Sequence, residues 1–277
     1  MASMLPKMTS TVTQKVQSVA IKAIDVRKYH KILSQINNID NNDELATVFN
    51  NSLNILKKIS HQRIVKIEKI LETFVKNNEI SRLFVVSEMA ETNLNDFILH
   101  QKPNGLDDED WARVWFRHIC EAVDCLHNTY QVSHQNIKPE NILLFTKTQM
   151  SENKIPYDIK LGDCGISMLF PNLSNVCTGR DTISVMSSPD TQFKNVMSSD
   201  IYSLAIVLVI LLNGDSKKYL MTSRQLGVFA YFNDKTFADD IKDQSIKGLI
   251  EKMMSRYYDS RPNIRDVLQY EWLKLKN

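Results

Sequence analysis

The sequence predicts an α+β protein of two lobes, a small β-rich one followed by a larger helical one. Two observations carry this. Before Gly105, which is the first glycine, short apolar runs of strand character alternate with a single stretch of helical periodicity. After Gly105 the apolar residues recur mostly at helical spacing. The length of 277 residues suits one large domain or two closely joined lobes around a real core.

Taken in order, residues 19–24 (VAIKAI) read as a strand, apolar and β-rich, closed by Asp25. Residues 37–43 are rich in Asn and Asp and read as a loop. Over 45–59 the apolar residues Leu45, Val48, Phe49, Leu53, Leu56 and Ile59 fall on one helical face. Residues 64–75 and 83–87 read as two further strands. Asp107 and Asp108 are placed to cap a helix bearing Trp111, Val114, Trp115, Ile119, Ala122, Val123 and Leu126 on one side. Later helices are expected from about 201, over 246–254 and over 263–275.

Composition excludes little and favours a soluble globular chain: 43% hydrophobic residues, 24% charged, net charge +2. That balance gives no footing for nucleic acid or an acidic membrane surface as partner. The four cysteines, Cys120, Cys125, Cys164 and Cys177, have neither zinc-site nor disulfide-framework spacing, which favours a reducing, cytoplasmic setting. The first ten residues have no apolar core, so no leader is expected. The longest apolar run, 204–212, is far short of the roughly 20 residues of a membrane span and is expected to be a buried helix.

Three stretches carry chemistry. They are Val19-Ala20-Ile21-Lys22; His134-Gln135-Asn136-Ile137-Lys138-Pro139-Glu140-Asn141-Ile142-Leu143-Leu144; and Lys160-Leu161-Gly162-Asp163-Cys164-Gly165. A strand ending in lysine is common. The second stretch, with polar groups set ahead of an apolar tail, is far more specific. In this order and spacing the three resemble the protein kinase family: its phosphate-binding lysine, catalytic loop and metal-binding loop. Within it, residues 81–88 and 157–165 are most similar to the calcium/calmodulin-dependent group, and there to protein kinase D.

The resemblance implies a bilobal protein kinase fold with a truncated β-rich N-lobe. Residues 1–18 would be an N-terminal remnant, 19–90 the N-lobe and 91–277 the C-lobe. It implies ATP with Mg²⁺ as cofactor and a protein as substrate or partner. Lys22 would meet the α- and β-phosphates, with Ala20, Glu88, Ala90 and Leu143 around the rest of the nucleotide. Asn141 and Asp163 would hold metal, and Lys138 would stabilise the transferred phosphate. Plainer roles are open to the same residues. Lys22 can be a strand-end lysine snorkelling to water, and the loop residues can be relics that hydrogen-bond among themselves.

The departures are as telling as the matches. Asn136 stands where the family has the aspartate that accepts the substrate hydroxyl's proton, and an amide has no basic site near neutral pH. Ser52 falls where a helix glutamate would hold Lys22. Residues 1–18 contain no glycine, so no glycine-rich loop can close over phosphates. Either the first two strands are absent, or one remains near 11–16 without the loop. Ile183 replaces the threonine that contacts the catalytic aspartate and lysine. Gln135 replaces the arginine that pairs with a phosphorylated activation segment. Cys164 replaces phenylalanine, so packing against the helix that carries Leu56 should be looser or rearranged, and a buried thiol there is expected to be inert. Ser188-Pro189-Asp190 stands for the segment-ending Ala-Pro-Glu, with Arg261 as the partner of Asp190, and Glu271-Trp272-Leu273 ends the domain. Two functions follow: a pseudokinase acting as scaffold or allosteric regulator, or a weak serine/threonine kinase that keeps Lys22, Lys138, Asn141 and Asp163.

Overall fold

The structure is a computed structural model. It describes residues 18–27, 42–75, 80–147, 156–164, 196–214, 241 and 243–274. Strand β1 (Val19–Asp25) pairs antiparallel with β3 (Ile80–Glu88), and β2 (Ile67–Phe74) pairs with the other edge of β3. The register sets Lys22 opposite Val85 and Ala20 opposite Ser87. Along β1 only Ile24 is buried; Val19 and Ile21 are exposed. Helix α1 (Asn42–Leu56) buries Phe49, Leu53 and Leu56, which lie four and three residues apart on one face.

The expected boundaries shift for physical reasons. The helix starts inside the Asn/Asp-rich stretch that reads as a loop, and it stops at Leu56 rather than at 59. Residues 64 and 65 do not belong to β2. Ile64 forms a parallel bridge to Leu161, Val65 N–H donates to Leu161 O (2.9 Å), and Leu161 N–H donates to Arg63 O (2.8 Å). Their backbone groups are used to join the first sheet to the second, so they cannot pair with β3.

The second sheet is β4 (Thr92–Asn93), β5 (Ile142–Thr146) and β6 (Tyr157–Leu161), in that order. Helix α2 (Leu94–Gln101) is capped by the side chain of Asn93, and α3 (Glu109–Asp124) by Asp108, whose carboxylate accepts from the Asp110 and Trp111 amides. As the spacing predicts, Trp115, Ile119, Ala122, Val123 and Leu126 are buried; Trp111 and Val114 are half-buried. One π-helical turn (Cys125–Thr129) follows. Tyr130 then ties this end to the first lobe, donating to Lys58 O and accepting from the Ser60 amide.

Helix α4 (Val196–Asn213) is the C-lobe core, with residues 204–211 all buried. By length and mean hydropathy, 1.9, it could cross a membrane, but 72% of it is buried inside the molecule, the position of a core helix. Its end sits hard against the turn before Gly105. A Cβ on Gly214 would lie 2.2 Å from the Gly105 amide nitrogen, and both glycines have positive φ, 71° and 89°. Helix α5 (Gln244–Met253) is capped by Asp243. The expected single helix over 263–275 is instead α6 (Ile264–Leu268), closed by an Asn263/Asp266 capping box, and a separate 3₁₀ turn (Glu271–Leu273). Docking overrides the helical spacing. Trp272 Nε1 donates to Glu109 (2.8 Å) under the Arg113 guanidinium, and Leu273 is fully buried.

Candidate functional site

The loop 133–141 is held from below by one buried acid. Asp200, on α4, is 1% exposed. Its carboxylate accepts from the backbone amides of His134 (2.7 Å) and Gln135 (2.8 Å) and pairs with His127 Nε2 (2.7 Å). A carboxylate inside a long apolar helix must find such partners, because an unpaired buried charge is strongly unfavourable. Gln135 takes φ +58°, a left-handed conformation that costs about 1 kcal/mol or more for such a residue. Its amide bond to Asp200 offsets that.

His134 is fully buried and serves packing and hydrogen bonding, as expected. Its Nε2 donates to Gly162 O (2.9 Å), and its Nδ1 accepts from the Asn136 amide (3.2 Å), which fits one neutral tautomer. Gly162 N–H donates to Asn141 O (2.7 Å), and Asn141 Nδ2 donates to Asn136 O (2.8 Å). The loop is thus stitched to the end of β6. Gly162 keeps this approach close: a Cβ would lie 3.0 Å from the Leu143 side chain and 3.3 Å from Asn141 O, tight enough that Leu143 would have to shift.

Four predicted residues converge. Asp163, at φ +60°, receives the Lys22 ammonium on Oδ1 (2.5 Å) and the Asn136 amide group on Oδ2 (3.2 Å). Asn141 joins through Asn136. Lys22 is 45% exposed and Asp163 17% by side chain. The partner that Lys22 lacks at Ser52 is supplied by Asp163. Ser52 itself is half-buried, one turn before Leu56. Lys138 is half-buried at the start of the 3₁₀ turn Pro139–Asn141.

The remaining predicted positions are spread around this cluster. Ala20 is exposed on β1, and Leu143 is half-buried on β5. Ala90 is half-buried beside the exposed Met89. The Glu88 carboxylate is engaged within the fold. It takes Lys160 Nζ at 2.7 and 2.8 Å and the Lys66 amide at 2.7 Å, so any ligand contact from Glu88 falls to its backbone. Ile183, Cys177, Gly165, Asp190 and the whole stretch 1–17 lie outside the described residues. Arg261, expected to meet Asp190, stacks on Tyr202 and donates to Ser255 O (2.9 Å) and Ser198 O (3.2 Å).

Behind the cluster lies a cavity of about 80 Å³, lined among others by Lys22, Leu56, Val65, Ser87, Asp163 and Cys164. Cys164 and Leu56, both buried, share this lining. Burial, and next the charge of Asp163, pushes the Cys164 thiol well above its ordinary range, so it is an un-ionised packing group. Sequence reasoning missed the anchoring role of Asp200 and the opening at Ser87. The signal for Asp200 was available, as it is the one acid within α4.

A divalent cation such as Mg²⁺ asks for several oxygen donors in near-octahedral order. The cluster offers one carboxylate, both of whose oxygens already accept N–H donors, and one amide side chain whose nitrogen is tied to Asn136. Among the described residues no three acidic, His or Cys side chains are grouped to hold a metal. Such an ion commonly takes one or two protein oxygens and completes its shell with phosphate and water, and the Asp163 carboxylate with the Asn141 side-chain oxygen, left open by the Nδ2 bond to Asn136, would fit that share.

A bilobal fold with a loop stitched in this way defines the class. The protein kinase domain family matches residues 8–273, and the chain belongs to that family. It is 27% identical over 263 residues to a Dictyostelium discoideum protein named probable serine/threonine-protein kinase fhkE, covering 91% of this chain and 34% of that protein. It is 29% identical over 229 residues to calcium-dependent protein kinase 4 of Plasmodium falciparum, covering 80% and 40%. The chain therefore spans well under half the length of these relatives. Among solved structures, the Rad53 kinase domain and SCD2 in complex with AMPPNP superposes with TM-score 0.58 at 18% identity, covering 94% of this chain and 83% of that one, a likeness of fold. The family uses ATP with Mg²⁺ and acts on protein hydroxyls.

Proposed function

We propose that this chain is a pseudokinase, a kinase domain that keeps its scaffold and part of its nucleotide cleft but does not transfer phosphate at a useful rate. Its role would be that of a cytoplasmic scaffold or allosteric regulator for a protein partner, with neither nucleic acid nor membrane as its target. The observation that carries this is the Asn136 side chain. Where a base must accept a proton, the group present is an N–H donor, and it is spent on Asp163 Oδ2. General base catalysis supplies roughly 10²–10⁴-fold, so losing it alone would leave a slow enzyme. Here it coincides with Ser52 at the helix position, a glycine-free stretch before Gly105 and Ile183 in place of threonine. The likeness to the calcium-dependent group, protein kinase D in particular, rests on residues 81–88 and 157–165 and is part of the same reading.

A second reading, a weak serine/threonine kinase, is favoured by the meeting of Lys22, Asn136, Asn141 and Asp163 in one cluster, with Lys138 kept in the same loop. Positioning and electrostatics carry most of phosphoryl-transfer catalysis, so a residue of activity could survive without the base. Restoring the base tests the choice. Asn136→Asp is expected to leave transfer to serine/threonine peptides undetected, because the acid would face the Asp163 carboxylate and the other losses would persist. Recovery of ordinary kinase turnover in Asn136→Asp would mean that only the base is missing, and ordinary turnover by the wild type in the same assay would overturn the pseudokinase reading.

A further inference from the structure

Asn136 touches both candidate metal ligands, one through its side chain and one through its backbone. Its Nδ2 donates to Asp163 Oδ2 (3.2 Å), and its carbonyl oxygen accepts from Asn141 Nδ2 (2.8 Å). The second bond sets the turn of the Asn141 amide. With its nitrogen on the loop backbone, its oxygen is the end left for an ion. The first bond fixes the plane of the Asp163 carboxylate. An ionised carboxylate has about four lone-pair sites, and Lys22 and Asn136 take one on each oxygen. A further site on each oxygen stays open to a cation.

Asn136 is itself held in place. Its backbone amide donates to Nδ1 of the buried His134 (3.2 Å), and the His134 and Gln135 amides are fastened to Asp200. A neutral N–H donor held this way orients a carboxylate without setting a positive charge beside an incoming cation. An aspartate at 136 has no N–H to give and would place a like charge against Asp163 Oδ2. The side chain that cannot accept a proton is therefore one that can hold a ligand in position. We propose that Asn136 is a positioning residue for a divalent cation at Asp163 and Asn141, so that the group lost to base catalysis serves the holding of metal and nucleotide. This rests on the nucleotide cleft of the proposed function, and the measurements below separate the two.

Mn²⁺ is the probe. It would be titrated into the full chain with saturating ADP, the free ion followed by electron paramagnetic resonance and ADP binding by calorimetry. Hydrogen-bonded partners of metal ligands carry about 10–100-fold in metal affinity, so Asn136→Leu, which keeps bulk and removes the donor, should weaken Mn²⁺ binding by that factor. Asn136→Ala should lose as much without added bulk, and circular dichroism melts check that both variants fold. Asn136→Gln keeps the amide donor on a longer arm and should stay within about threefold of the wild type, a rescue that a merely structural role would not produce. A loss below about threefold in both Asn136→Leu and Asn136→Ala overturns the proposal and leaves the nucleotide reading intact. A loss as large in Asn136→Gln as in Asn136→Leu also overturns it, because the N–H would then not be what matters. ADP bound by the wild type without Mn²⁺ overturns the proposal alone. Neither ADP nor Mn²⁺ bound by the wild type overturns both.

Discussion

The two sides of the cleft differ in how completely they are built. On the C-lobe side, the loop 133–141 is fastened through Asp200, His134, Gly162 and Asn141 by bonds of 2.7–2.9 Å among buried and half-buried groups. On the N-lobe side, β1 is exposed from Val19 to Ala23, and Lys22 leans across to Asp163 for its partner. The contrast teaches that holding the catalytic loop and doing catalysis are separate demands. The loop's anchor is also part of the core. Removing it would unpair buried donors whether or not any phosphate is transferred. The base and the helix acid serve chemistry alone, so Asn136 and Ser52 in their places leave the fold standing.

The largest effect that would break this comparison sits on the built side. Asp200→Ala leaves two buried amides and His127 without their acceptor, and stability should fall by about 3–5 kcal/mol, read as the shift of the urea midpoint. A loss under about 1 kcal/mol would mean the loop is not held from α4. Next, Cys164→Phe should fill the cavity of about 80 Å³. At roughly 24 cal/mol per Å³ the gain is about 1–2 kcal/mol, visible as a higher Tm. A lower Tm would mean the space has already closed around cysteine. Smallest is Lys22→Met. The ion pair is close to half-exposed on the lysine side, so its loss should change stability by less than about 1 kcal/mol. A large loss would show that the N-lobe side is built as firmly as the other.

Much of this was legible from the residues. The strand at 19–25, the Asp108 cap with its apolar face, and the burial of 204–211 all follow from local pattern and appear as such. What local pattern could not deliver are contacts between distant residues. Lys22 and Asp163 lie 141 positions apart, and only the folded register brings them together. The start of β2 moved because residues 64 and 65 are used on Leu161, and the last helix broke because Trp272 and Leu273 both dock on the core. Glu88 is legible as a residue at the cleft, but its salt bridge to Lys160 is not, because the spacing holds no trace of it. Asn136 is the reverse case. Its chemical incapacity is plain from the sequence, and the structure adds that its amide serves Asp163.

The most direct test compares phosphoryl transfer by the wild type with that by Asp163→Asn, using γ-labelled ATP, Mg²⁺ and a serine/threonine peptide mixture. If the chain is a pseudokinase, the two rates coincide at background. A wild-type rate in the ordinary kinase range of about 1–100 s⁻¹, abolished by Asp163→Asn, would contradict it.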